Sequence, residues 1–133
     1  MNKTRYRDYA VSAFEFYGKL YKPRSARLAE YRLKEYALRN RTHLSDAQFA
    51  ACMADLVACI EALQIIQKRK DADDILAALQ VYTDYNYGTK NAISSGVVKT
   101  SLKQFTSEAS IYRRLSICRD IFAECRGLRV VAL

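Results

Sequence analysis

The chain has little of what turns are made from: 4 Gly and 1 Pro in 133 residues. Hairpins and sheet corners draw on glycine for positive φ and on proline for a fixed φ. So few of either excludes a sandwich or barrel of short strands, and an all-helical chain is expected. Tryptophan is absent and His43 is the single histidine. No cluster of histidines can therefore hold a metal, and no Cys–His pair is suggested by local spacing. The glycines form neither a G-x-x-x-x-G-K-[ST] loop nor G-x-G-x-x-G, the two backbone cradles for phosphate. No apolar run approaches the roughly 18 uncharged residues of a bilayer span. The start, Met1 to Asp8, carries charge in place of a signal peptide's apolar core. A cytoplasmic protein with no membrane partner is expected, and it is expected not to be an enzyme. No catalytic residue, cofactor or metal is expected.

Cysteine is present but spaced against chemistry. Cys52 and Cys59 are seven apart, as are Cys118 and Cys125. On a helix that is a rise of about 10.5 Å, too far for a disulfide within either pair and unlike the C-x-x-C spacing of zinc sites. Buried, reduced thiols are the expectation.

Half of the residues are hydrophobic, with 10 Tyr and 5 Phe among them, and their spacing predicts six helices. Tyr6, Tyr9, Ala10, Ala13, Phe14, Tyr17, Leu20 and Tyr21 recur at steps of three and four, giving a helix over 4–20 that Lys22-Pro23 ends. A second, over 24–39, presents Leu28, Tyr31 and Leu38 inward on a basic background, with Tyr36 as a further candidate. Ser45 with Gln48 reads as a capping box opening the most apolar segment, which runs to about residue 70 and should be the central helix. Lys68-Arg69-Lys70 followed by Asp71, Asp73 and Asp74 reverses charge as the end of one helix and the start of the next require. A fourth helix spans 72–85, turn chemistry occupies 86–91, and a fifth spans 93–104 with Val97, Val98, Leu102 and Phe105 as packing residues. The last, over 107–126, places Ile111, Leu115, Cys118, Phe122 and Cys125 on one face, with Gly127 as its left-handed C-cap and Leu128 beside it. The expected architecture is a compact single domain over 1–133, with an N-terminal helical part over 1–70 and a C-terminal tri-helical helix-turn-helix over 71–133.

The net charge of +8 points to a polyanionic partner. It is unevenly spread: +7 over 1–41, −3 over 42–98 and +4 over 99–133. Within the last part, a support helix, a short helix and a longer helix match the order of a tri-helical DNA reader. Such a helix needs an apolar face to anchor it and short polar side chains at its start, so that backbone can approach phosphates and base edges. Ser107, Glu108 and Ser110 supply the short side chains, and Tyr112, Arg113 and Arg114 supply reach and charge. Ser110, Arg113 and Arg114 are expected to meet bases or phosphates, flanked by Lys99, Lys103 and Arg119 as phosphate ligands. If the first two helices pack beside the last, one basic face could straddle a duplex.

Arg5-Tyr6-Arg7-Asp8-Tyr9-Ala10 with Ala13-Phe14-x-Phe16-Tyr17, and Ser110-Ile111-Tyr112-Arg113-Arg114-Leu115 with Phe122-Ala123-x-Cys125-Arg126-Gly127-Leu128-Arg129, resemble small helix-turn-helix proteins of phages and mobile elements in Gram-positive gut bacteria. The C-terminal half is similar to sigma-factor region 4 and to phage regulators of the ArpU and RinA type. The resemblance implies transcription regulation on double-stranded DNA, with host RNA polymerase or another host nucleic-acid complex as protein partner. A homodimer would suit a palindromic site. The alternative expectation is a phage-encoded inhibitor or adaptor, anti-CRISPR-like, that docks on a host nucleic-acid machine.

Overall fold

The computed structural model describes residues 3–84 and 92–128, with side chains from Tyr6. Every regular element among them is a helix: α1 Lys3–Lys19, α2 Ala26–Arg39, α3 Asp46–Gln67, α4 Ala72–Thr83, α5 Ala92–Gln104 and α6 Glu108–Arg126. The expected all-helical class and the six helices are thus observed. The expected end of the fourth helix at Tyr85 and the turn over 86–91 lie outside the described residues.

Helix α3 is the hub, packing against α1, α2, α4 and α6. Its start is the capping box read from Ser45 and Gln48: Gln48 N–H donates to Ser45 Oγ at 3.1 Å, and Ser45 N–H donates to Gln48 Oε1 at 2.9 Å. Leu56, Ala58, Cys59, Ile60, Ala62 and Ile66 are its buried face. The 22-residue α3 contains an 18-residue window of mean hydropathy 1.9, long and apolar enough by composition to cross a bilayer, although Asp55 and Glu61 interrupt it and leave no uncharged run of that length. Here those residues pack against four other helices, so hydrophobicity on several sides is what a central helix requires.

Helix α6 returns antiparallel along α3, with Arg126 beside Asp55. Ile111, Leu115, Cys118 and Phe122 are fully buried, as their spacing predicts. Gly127 at φ 79° closes the helix: its own N–H bonds Glu124 O at 3.2 Å and that of Leu128 bonds Ala123 O at 2.8 Å. Helix α1 lies over α3, α4 and α6. Its Phe14 stands 5.5 Å from Phe122 and 6.2 Å from Tyr82, ring centroid to centroid. Gly18 lets α1 approach α4 backbone to backbone, since a Cβ there would sit 2.0 Å from the Thr83 carbonyl oxygen. One apolar core draws on all six helices.

Two helices present a different face from the one expected. In α2 the buried residues are Ala29 and Leu33, with Tyr36 set edge-on to Phe16 at 5.3 Å. Tyr31 and Leu38 are exposed by 64 % and 81 %. Leu33 rather than Leu28 and Leu38 fixes the rotation, because it shares a stripe with Ala29 and Tyr36. In α5, Val97 is buried but Val98, Leu102 and Phe105 are not; Phe105 is 97 % exposed. Gly96, Thr100 and Ser101 pack inward in their place. Their small volume lets α5 lie close to α4 and α6.

Candidate nucleic-acid interface

Helices α5 and α6 meet at a corner of three residues. Phe105 adopts a left-handed backbone, φ 52°, and Thr106 N–H returns to Ser101 O at 3.1 Å. Ser107 then caps α6, accepting the Ser110 N–H on Oγ at 3.1 Å, with the two hydroxyl oxygens 3.0 Å apart. The first turn of α6 thus has its side-chain cap from within the chain. Its outer surface carries Ser107, Glu108, Ala109 and Arg113, all exposed.

The eight residues singled out from the sequence separate into three groups. Lys99, Lys103, Ser107, Tyr112 and Arg113 are exposed. Lys99 and Lys103 are one turn apart on the outer side of α5, and Arg113 is outward on α6. Tyr112 turns aside toward α1, lining a cleft of about 300 Å³ with Arg7, Val11, Tyr82 and Ile93. Ser110 and Arg114 are half-buried and engaged within the chain. Arg114 donates to Gln104 Oε1 at 2.8 Å and lies 3.9 Å from Asp74 Oδ2, so it ties the start of α6 to α5 and α4.

Arg119 forms the third group and corrects an expectation. It is 8 % exposed, and its guanidinium donates to the Tyr82 hydroxyl at 2.8 Å inside the bundle. The side chain expected to meet phosphate points inward, on the flank of the stripe made by Leu115, Cys118 and Phe122. Burial pushes the Tyr82 hydroxyl up from its ordinary 10.0, and the neighbouring Arg119 charge opposes that shift.

Arg7 of α1 lies beside Tyr112 of α6 in the cleft that both line, whereas the basic residues of α2 stand elsewhere. Helix α2 packs mainly against α3, and its Tyr36 also meets Phe16 of α1. It meets α3 near Phe49, whose ring lies 5.9 Å from Lys34 Nζ. Phe49 is roughly 120° round α3 from Asp55, the residue that meets α6. Among the described residues α2 makes no helix contact with α5 or α6, so it does not pack beside the last helix as one continuous basic face would require.

A polar node at the opposite end of α6 was not anticipated. Tyr9 Oη donates to Asp55 Oδ1 at 2.6 Å, and Arg126 Nε donates to the same oxygen at 2.9 Å, joining α1, α3 and α6. Desolvation is the first cause of a raised Tyr9 hydroxyl, followed by its bond to Asp55. The sequence signal is a carboxylate inside the most apolar stretch, which needs a partner wherever it is turned inward; Glu61 in the same helix is exposed and carries the same signal without the node.

The four thiols are unbridged, with Cys59 and Cys118 buried. Burial is the first cause raising each of them, Cys118 to about 12 and Cys59 well above its ordinary value, so neither is a ready nucleophile at neutral pH. No three His, Cys, Asp or Glu side chains converge as a metal site among the described residues. Comparison with known proteins finds no family model, curated protein or solved structure that matches this chain.

Proposed function

We propose that the chain is a DNA-binding transcriptional regulator of phage or mobile-element type, cytoplasmic, that uses α4, α5 and α6 as a helix-turn-helix with α6 as the reading helix. The observation that carries this reading is the corner itself. A short turn with one left-handed residue joins α5 to an exposed, capped α6 start, and Lys99, Lys103, Ser107 and Arg113 surround it. Glycine commonly fills the left-handed position of such a turn, and Phe105 takes it here. Lys99, Lys103 and Arg113 are the phosphate contacts, and Ser107 brings backbone close. Arg114 and Ser110 hold the corner in shape through the bonds described above.

Titrating a labelled duplex of random sequence with the protein, in a salt series, tests the reading. The slope of log affinity against log salt should lose about 0.9 for each phosphate contact removed, so Lys103→Ala with Arg113→Ala should flatten it by nearly two. Absence of duplex binding at low salt, or an unchanged slope in that variant, overturns the reading.

A second reading rests on Leu102 and Phe105, exposed by 71 % and 97 % at the same corner. Apolar side chains there suit a pocket on a protein better than a phosphate backbone. This is the anti-CRISPR-like adaptor, docking on a host nucleic-acid complex or on host RNA polymerase. It predicts partners that survive nuclease in a bacterial lysate and are lost with Phe105→Ser.

A further inference from the structure

Reversal of the expected face of α2 exposes a regular array. Arg24, Arg27, Tyr31, Lys34, Leu38 and Arg41 follow one another at steps of 3, 4, 3, 4 and 3, and all six are exposed. At 1.5 Å per residue Arg27 to Leu38 form a ridge of roughly 16 Å on α2, with Arg24 just before its N-cap and Arg41, at φ 51°, just beyond its C-cap. Of the two acidic residues of α2, Glu30 lies beside the ridge, 3.3 Å from Lys34, and Glu35 lies off it, 2.7 Å from Arg39. The described residues provide no carboxylate partner for Arg24, Arg27 or Arg41. At the root of the ridge Tyr21 is 67 % exposed, with the Arg32 guanidinium 5.8 Å from its ring centre. Arg32 also donates to the carbonyls of Leu20 and Tyr21 at 2.8 Å each, so the corner that presents Tyr21 is held by three contacts.

Charge decides what such a ridge can meet. A second copy would set arginines against arginines, which disfavours self-association through α2. A phosphate chain supplies the missing opposite charge. The aromatics then select among phosphate chains: a duplex offers its bases edge-on, whereas unpaired bases present a π-face that a tyrosine can stack on between flanking cations. Tyr31 has Arg27 four residues before it and Lys34 three after, both on its own side of the helix.

We infer that the outer face of α2 binds single-stranded nucleic acid, with Tyr31 as a stacking platform and Arg24, Arg27 and Arg41 tracking the phosphates. This site is separate from the α5–α6 corner and does not depend on the duplex reading given for it.

The test is fluorescence anisotropy of a short labelled oligothymidylate at low salt, against a duplex control, for the wild type, two disruptive variants and one conservative variant. Tyr31→Ala should weaken single-strand binding roughly tenfold, and Tyr31→Phe should restore it. Arg27→Gln with Arg41→Gln should reduce the salt slope by about 0.7 per cation removed. Neither change should alter duplex binding, which Arg113→Ala tests independently. All of these side chains are exposed, so far-ultraviolet circular dichroism should be unchanged. The inference is overturned if the oligothymidylate does not bind, if both disruptive variants bind it as the wild type does, or if they weaken duplex binding equally. The last result would make α2 part of a duplex surface.

Discussion

The Arg119 guanidinium donates to the Tyr82 hydroxyl at 2.8 Å, joining α6 to α4 across the inside of the bundle. Removing one partner of such a buried pair costs more than the intact pair contributes, because the other is left unsatisfied. Arg119→Met, which keeps the aliphatic packing and leaves a tyrosine hydroxyl without its donor, should cost on the order of 2 kcal/mol. Tyr82→Phe strands the guanidinium and should cost more. Urea unfolding of both and of the double variant gives the coupling. If Arg119→Met instead leaves the midpoint unchanged and weakens duplex binding, the side chain belongs to the outer surface.

Gly18→Ala reverses an ordinary expectation. In an exposed helix interior the change should stabilise by up to about 1 kcal/mol, because alanine is the better helix former. Here the new methyl would meet the Thr83 carbonyl at 2.0 Å, and backbone cannot yield as a flexible side chain can. Helices α1 and α4 must move apart, at a cost of about 1 to 3 kcal/mol. A lower urea midpoint with unchanged helix content is the expected result. A rise in midpoint would mean that the two helices do not touch at this position.

How far the sequence discloses the fold depends on how much apolar surface each helix has to spare. In α6 the order Ile111, Leu115, Cys118, Phe122 admits one rotation, and the structure adopts it. In α2 and α5 apolar residues occur on more than one side, so periodicity alone does not choose. Leu33 competes with Leu28 and Leu38, and Val97 with Val98 and Leu102. The choice is made by neighbours: Phe16 receives Tyr36, and small Gly96, Thr100 and Ser101 permit close approach where Leu102 would not. The same limit governs the charged residues. Arg113 lies opposite the buried stripe and reaches solvent, whereas Arg119, four residues after Leu115 and three before Phe122, stands on its flank; spacing allows Arg119 either side, and the tyrosine 37 residues away that draws it inward is supplied by tertiary packing.

Alkaline pH should unfold the protein through groups that ordinary titration would overlook. Burial is the leading cause that raises the Tyr17 hydroxyl from 10.0 to about 12 and the Cys118 thiol from 9.0 to about 12; Cys59 moves the same way. A raised folded-state value means that the unfolded chain releases these protons first. Stability is therefore complete below about pH 9 and falls as pH rises from there toward 12. Urea midpoints measured from pH 7 to 11 should be level to about 9 and then decline. Cys118→Ala should shallow the first part of the decline while costing core packing at every pH. A flat profile to pH 11 would show that these side chains ionise in the folded state.

Ser107 separates a structural role from an interfacial one because two substitutions affect them differently. Its Oγ caps α6 through the Ser110 N–H at 3.1 Å, so Ser107→Ala should destabilise by about 1 kcal/mol. Aspartate is an equally good cap and its charge suits the helix start, so Ser107→Asp should leave the urea midpoint within a few tenths of a kcal/mol of the wild type. At a surface that meets phosphates, the same carboxylate brings like charges together. Duplex affinity at low salt should then fall about tenfold or more in Ser107→Asp. It should remain near wild type in Ser107→Ala, once measured where both proteins are fully folded. Equal affinities for all three proteins would leave Ser107 as a cap alone and would move the duplex contact away from the start of α6.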